Sequence, residues 1–341
     1  MGSFEWSTLT EWRQESSLGF SGGSGRVLMR VRSISVFWED DMTSSRRRLR
    51  APRRSLLATL VAALFAVTAA PAYASHVGCG SLITTDTTLD SDVGPCVGDA
   101  LIVAADGVTL DLGGHTVSGA GTGAGVRVAR HTGVEVMNGT IEGFDTGLVL
   151  DEADGNHIWS LTLRDNLRQG ITVAGSDANV IEKNSILDND GDAIRLGLSD
   201  GNVVRKNVAV GNVFGIGVAD GSDGNLVEKN SVSATDVFGI AVFSNATNNR
   251  VEKNDVLGTL LGDGIIVASD SSGTQITKNV ASGNADDGID VENQTTTVTA
   301  NTANGNADLG IEAVPGTTDG GGNRASGNGN PAQCTGVTCS S

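Results

Sequence analysis

Apolar and polar residues alternate over very short stretches, as in Val108-Thr109-Leu110-Asp111-Leu112 and Gly215-Ile216-Gly217-Val218. A period of two predicts strands, and no stretch sustains the 3.6-residue period of a helix. Between about residues 131 and 317 the pattern also repeats itself. Asn156, Asn179, Asn202, Asn225 and Asn249 form one series, and Asn184, Asn207, Asn230, Asn254, Asn279 and Asn301 a second. Glycine followed by an aliphatic residue returns as Gly147-Leu148, Gly170-Ile171, Gly215-Ile216, Gly239-Ile240, Gly264-Ile265, Gly288-Ile289 and Gly310-Ile311, with Ala193-Ile194 as a variant.

A fixed period of this length means a solenoid. Helical repeats are excluded by the strand pattern, and leucine-rich repeats by the dominance of Val and Ile. Calcium rolls would show a period of nine. A right-handed parallel β-helix remains, all-β, with about nine or ten coils and three short strands per coil. Inward aliphatic residues should stack about 4.8 Å apart on successive coils. The Asn series should occupy turns and bond neighbouring turns through their amides. Glycine before Ile is expected to supply a positive φ at the bend into the next strand.

Composition agrees. The 341 residues include 47 Gly but only 5 Pro, and aromatics make up 4%. Neither collagen nor Pro-rich disorder fits. Residues 75–341 carry 13 Lys and Arg against 34 Asp and Glu, a net charge of −21. Such a surface repels nucleic acid and anionic lipid, so nucleic-acid binding is excluded. It also disfavours free polyuronates unless divalent cations bridge them.

The N-terminal part reads as an address. Arg46, Arg47, Arg48, Arg50, Arg53 and Arg54 precede the apolar run 56–70, and Ala72-Tyr73-Ala74 offers a small-x-small cleavage site. This is the pattern of a secretory signal peptide, assigned to 42–74, and the run is short for a membrane span. Arg53-Arg54 weakly resembles a twin-arginine signal, but general secretion is the simpler reading. Residues 1–41 are expected to be a non-native extension upstream of a start at Met42. The mature chain, 75–341, has no membrane-spanning segment and is expected to be a monomer. It carries Cys79, Cys96, Cys334 and Cys339, for which three connectivities exist. Pairing within each end is favoured, because a long regular body separates the pairs. Residues 75–99 and 318–341 then read as N- and C-terminal caps on a body spanning 100–317.

Cys79-Gly80-Ser81-Leu82-Ile83 through 107–116, the N-x-V-E-K-N units, and the closing Gly327-Asn328-Gly329-Asn330-Pro331 resemble secreted bacterial right-handed parallel β-helix repeat proteins of the pectin-lyase-like superfamily. The resemblance covers essentially all of 75–341. It implies the fold and leaves the activity open, since such proteins include lyases, hydrolases, epimerases, a copper-site maturation protein and adhesins.

Candidate chemistry is sparse. Gly197-Leu198-Ser199-Asp200-Gly201 matches a hydrolase motif but lies in repeat sequence with no helix after it. Asp188, Asp190 and Asp192 begin a calcium-loop pattern, but Ala193 and Ser199 replace its Gly and Glu, leaving at most a partial calcium turn. An acidic column is sharper. Asp263 and Asp287 share one repeat position, Asp286 and Asp308 the next, and Asp290 and Glu312 another. Carboxylates that close raise one another's pKa, supplying the acid and base of glycosidic cleavage. Asp263, Asp286, Asp287 and Asp290 are therefore the catalytic candidates. The resemblance also implies companion motifs, Gly-His-Gly and Arg-Ile-Lys for hydrolases or a Tyr-and-His motif for epimerases, and these do not occur. Arg195 lies a coil or more from that column, so a lyase constellation is unsupported. Copper or zinc would need converging His, Cys or Met, whereas His76, His115, His131, His157 and Met137 share no repeat position.

Lys183, Lys206, Lys229, Lys253 and Lys278 form a five-coil column beside Glu182, Arg205, Glu228 and Glu252, read as a solvated edge whose charges offset one another. Phe214 and Phe238 share one position, with Phe243 nearby. Outward they would make a stacking platform for a sugar ring; inward, core filling is favoured. The expected function is a secreted, extracellular protein that binds, and in an enzymatic form cleaves, polysaccharide or cell-surface glycan. The alternative is a structural or adhesive solenoid without catalysis.

Overall fold

Short strands of two-residue period cannot bury a face alone, but coiled on one another they enclose a continuous core. The computed structural model describes residues 76–341; the signal segment and the stretch upstream of it lie outside the described residues. All strand pairings are parallel, and no helix occurs among the described residues. Each coil runs through three faces. Face A is an eleven-stranded sheet from Ser81–Ile83 to Ile311–Ala313. Face B includes Val203–Arg205 and Leu226–Glu228, and face C Val208–Val210 and Ser231–Ser233.

There are eleven coils, more than the nine or ten expected. The extra coils come from the segments read as caps. Residues 81–96 already run through all three faces, pairing Ser81–Ile83 with Leu101–Val103 and Val93–Cys96 with Thr116–Gly119. At the other end Thr318–Gly321 and Asn323–Ser326 complete the last coil. Neither segment carries the Asn–aliphatic repeat in full, so periodicity alone undercounts them. Disulfides join Cys79 to Cys96 and Cys334 to Cys339.

The core is a set of aliphatic columns. On face B, Val136, Ile158, Ile181, Val204, Val227, Val251, Ile276 and Val298 lie in register and are fully buried. Asparagine ladders run along the turns between faces. In one of them the backbone N–H of Asn207 donates to Asn230 Oδ1 at 3.0 Å, and the Asn207 amide donates to the same oxygen at 3.1 Å. Asn230 in turn donates to Asn254 Oδ1 and to the carbonyl of Val204. A third ladder, Asn166, Asn189 and Asn212, then Asn284, Asn306 and Asn328, was not read from sequence. Thr235 and Thr259 interrupt it, which breaks the repeat.

The glycines before Ile do not have positive φ, contrary to expectation; their reason is space. A Cβ on Gly215 would overlap the carbonyl oxygen of Gly239 on the next coil and a methyl of Val232 in the core. Positive φ belongs instead to the residue before each ladder position, including Ala178, Lys229 and Ala234. For a side-chain-bearing residue that conformation costs about 1–2 kcal/mol.

Three substitutions probe these ladders and turns. Asn230→Ala strips partners from the buried N–H and amide of Asn207 and from the carbonyl of Val204, and should lower unfolding free energy by about 3 kcal/mol in a denaturant titration. The exposed Asp255→Ala should stay within about 0.5 kcal/mol of the parent. Ala234→Gly should instead raise stability, by about 1 kcal/mol, because the left-handed backbone suits glycine.

Candidate functional site

Because every coil repeats the same turn into face A, one position recurs along its margin: Asp192, Phe214, Phe238, Asp263 and Asp287 on five successive coils. Beside it runs the outward column Arg195, Gly217, Ala241, Ile266, Asp290 and Glu312, in strand register. The strip therefore changes character along the solenoid, from an Arg–Asp pair through an aromatic middle to an acidic end.

At the acidic end Asp263 and Asp287 are 6% and 4% exposed, while Asp286 is exposed. Each of the three offers a carboxylate oxygen within 4.8 Å of the others. The buried two are held by the next coil: Asp287 N–H donates to Asp263 Oδ1 at 3.0 Å, and Leu309 N–H to Asp287 Oδ1 at 2.6 Å. Burial is the main force on their protons. It pushes Asp263 up to about 7, with the charges of Asp286, Glu292 and Glu312 adding to it. Asp287 rises to about 8 through burial, a side-chain bond to Glu312 and the neighbouring Asp263 and Asp286. Asp290 rises to about 8 for the same reasons, burial first and then Asp263. Asp286 is raised by burial and by Asp308 and Glu312. Asp263, Asp287 and Asp290 are therefore carboxyls that hold protons near neutral pH.

In the middle, Phe214 and Phe238 are half-buried at the surface, not inside the core. Their rings lie 6.3 Å apart at 34°. Gly217, Ala241 and Ile266 form a low floor between them and the Phe243 margin. At the far end Arg195 meets Asp220 at 3.0 Å and Asp192 at 3.9 Å, with its guanidinium 5.3 Å from the Phe243 ring. Gly217, in register with Arg195, makes room for this: a Cβ there would meet Asp192 Oδ1 at 3.1 Å and Phe243 Cε1 at 3.6 Å. Burial raises the Asp192 pKa, opposed by Arg195 and by a bond from Gln169. Sequence reasoning missed this Arg195 cluster, because its members come from three coils and share no repeat position.

The other candidates resolve differently. Asp188 and Asp190 are exposed on either side of the buried Asn189, while Asp192 turns to Arg195. Among the described residues only Asp263, Asp286 and Asp287 form a metal-like group, so the three aspartates of the calcium-loop pattern are not drawn together. Ser199 is fully buried, donating to the carbonyls of Val173 and Gly197 and accepting from Ser176 N–H in a serine ladder.

Asp263, Asp287 and Asp290 keep protons in the folded chain that an unfolded chain releases near pH 4, so folding takes up protons between about pH 4 and 8. The stability tied to them is complete below that range and is lost as pH rises through 7 to 8. Carboxylates held low by hydrogen bonds, such as Asp106 and Asp223, act oppositely but only in stronger acid. The melting temperature should therefore rise from pH 9 to pH 5. Asp287→Asn should raise it at pH 8 and flatten the slope; an unchanged slope would show that these carboxyls ionise freely.

The sequence model of the family described as "Periplasmic copper-binding protein (NosD)" matches residues 103–272, and that of the "Right handed beta helix region" matches 221–329. Copper does not suit the donors present. Among the described residues, His76, His115, His131 and His157 face four different carboxylates, all cysteines are in disulfides, and Met137 is in register with Trp159. The convergent group among the described residues offers only carboxylate oxygens, which suit harder ions. No curated protein sequence matches the chain. Among solved structures, the A-module of Azotobacter vinelandii mannuronan C-5 epimerase AlgE4 superposes with a TM-score of 0.55 at 16% identity, covering 76% of this chain and 80% of that one. The tailspike of E. coli bacteriophage HK620 superposes with a TM-score of 0.55 at 13% identity, covering 72% and 55%. Another form of that tailspike, in complex with pentasaccharide, gives 0.51 at 12% identity over 71% and 56%. With strands coiled in register over eleven turns, the chain has the right-handed parallel β-helix fold that the right handed beta helix region describes and that the superposed structures share.

Proposed function

We propose that this protein binds polysaccharide along the strip on face A, outside the cytoplasm. The observation that carries the reading is the juxtaposition of the Phe214–Phe238 pair with Asp263, Asp287 and Asp290 on the next coils of one face. Aromatic faces stack on the apolar face of a sugar ring, and carboxyls that hold protons donate to hydroxyl and ether oxygens. A neutral or amino glycan suits this end better than a free polyuronate, because further carboxyl groups, Glu292, Asp308 and Glu312, surround it. Fold neighbours include a mannuronan epimerase and a tailspike holding a pentasaccharide, which supports a saccharide as ligand. Export accords with the two disulfides, which persist in oxidising compartments.

Cleavage is the second half of this reading. On this reading Asp287, protonated near neutral pH, serves as the general acid and the ionisable Asp263 beside it as the base. Calcium, if it is used, would meet its oxygen donors at Asp263, Asp286 and Asp287.

The test is purified 75–341 titrated with neutral, amino and uronate polysaccharides, with and without calcium, alongside assay of reducing ends. Phe238→Ala should weaken binding at least about tenfold, the loss of one stacked ring. Any turnover should vanish in Asp287→Asn. Unchanged affinity in the Phe214→Ala, Phe238→Ala double variant would overturn the site, and binding without turnover would leave a carbohydrate-binding solenoid.

A further inference from the structure

The lysine column has a backbone cost that its sequence reading did not include. Lys183, Lys206, Lys229, Lys253 and Lys278 all have φ between 55° and 58°, the left-handed conformation that L side chains avoid. The same turn position carries Gly114, Asn138 and Ser160 on earlier coils, and Ala300 and Gly322 on later ones. Ahead of the third asparagine ladder the equivalent position is glycine on five coils, Gly211, Gly258, Gly283, Gly305 and Gly327, and Asp165, Asp188 and Ala234 on the other three. Backbone preference thus favours glycine at this corner, yet five consecutive coils carry the same strained, exposed cation.

Offsetting neighbouring glutamates explains only part of the column. Lys183, Lys229 and Lys253 lie 3.4, 3.0 and 3.6 Å from Glu182, Glu228 and Glu252. Lys206 instead follows Arg205, and Lys278 follows Thr277; neither forms an ion pair among the described residues. Arg205 reaches back to Glu182 at 2.8 Å, so that carboxylate is shared by two cations. The five lysines and Arg205 therefore outnumber the three glutamates. The result is a basic ridge on a protein whose net charge is −17.

We propose that this ridge is an interaction surface for a single linear anionic glycan lying parallel to the solenoid axis. The lysines rise one per coil, their backbones about 4.8 Å apart, over about 19 Å. Such a row matches a chain with one sulfate or carboxylate per sugar. A planar anionic membrane fits less well, because the chain as a whole is strongly acidic and a membrane would meet more of it than the ridge alone. The surface is separate from the aromatic strip of face A and does not depend on the reading of that strip.

The test uses heparin as the sulfate-bearing probe and polygalacturonate as the carboxylate-bearing one, at low and at physiological salt. Wild-type protein should bind at least one of them at low salt and release it as salt rises. Changing all five lysines to glycine should weaken that binding at least tenfold, while changing all five to arginine should preserve it. Phe238→Ala should leave it unaltered, which separates this surface from the glycan strip. The double variant Lys206→Gly, Lys278→Gly should melt no lower than wild type, since glycine suits the backbone there. A lower melting temperature would show that these lysines serve the fold and would overturn the proposal. So would undiminished binding by the five-glycine variant, absence of binding to both probes, or tighter binding to anionic vesicles or single-stranded DNA.

Discussion

Everything in this molecule depends on stacking one coil directly on the next, and the buried asparagine ladders hold that stacking in register. An unpaired amide in the interior costs more than a hydrogen bond returns, so each ladder is stable only when it is continuous. Asn207, Asn230 and Asn254 each accept from one coil and donate to the next. A coil out of register would orphan several polar groups at once. Aliphatic columns supply the non-directional burial that drives collapse, and the amides decide which residue lies above which.

That register makes a functional surface possible on so plain a scaffold. Any side chain that departs from the repeat is presented at a fixed spacing beside its counterparts. Substituting Phe on two coils and Asp on the next two places a ring pair beside a buried carboxyl cluster without any loop to support them. The ladder geometry also sets the protonation: backbone N–H groups from the following coil pin Asp263 and Asp287 under the surface, where burial outweighs those favourable bonds.

The fold was legible in the sequence because the repeat expresses it many times over. Strand period, the two asparagine series and the aliphatic columns were all visible as spacing. What was lost lay where the repeat is interrupted: Thr235 and Thr259 hid the third ladder, and the terminal coils lacked the signature. The role of the glycine column was misassigned, since spacing does not distinguish a positive φ from a close approach. The acidic column was legible as a juxtaposition, because Asp263, Asp287 and Asp290 follow the repeat. The Arg195 cluster was not, because Asp192, Asp220 and Phe243 meet it across three coils through the space left by Gly217. The left-handed lysines were equally invisible, since a φ angle leaves no mark on composition.

The surface we propose for glycan is the strip of face A running from Phe214 to Asp290. Its most direct test is a crystal structure of 75–341 with the oligosaccharide that binds most tightly in solution. A sugar ring should stack on Phe214 or Phe238, with the glycan continuing to within hydrogen-bond distance of Asp263, Asp287 or Asp290. An oligosaccharide bound on face B or face C, with this strip left bare, would contradict it.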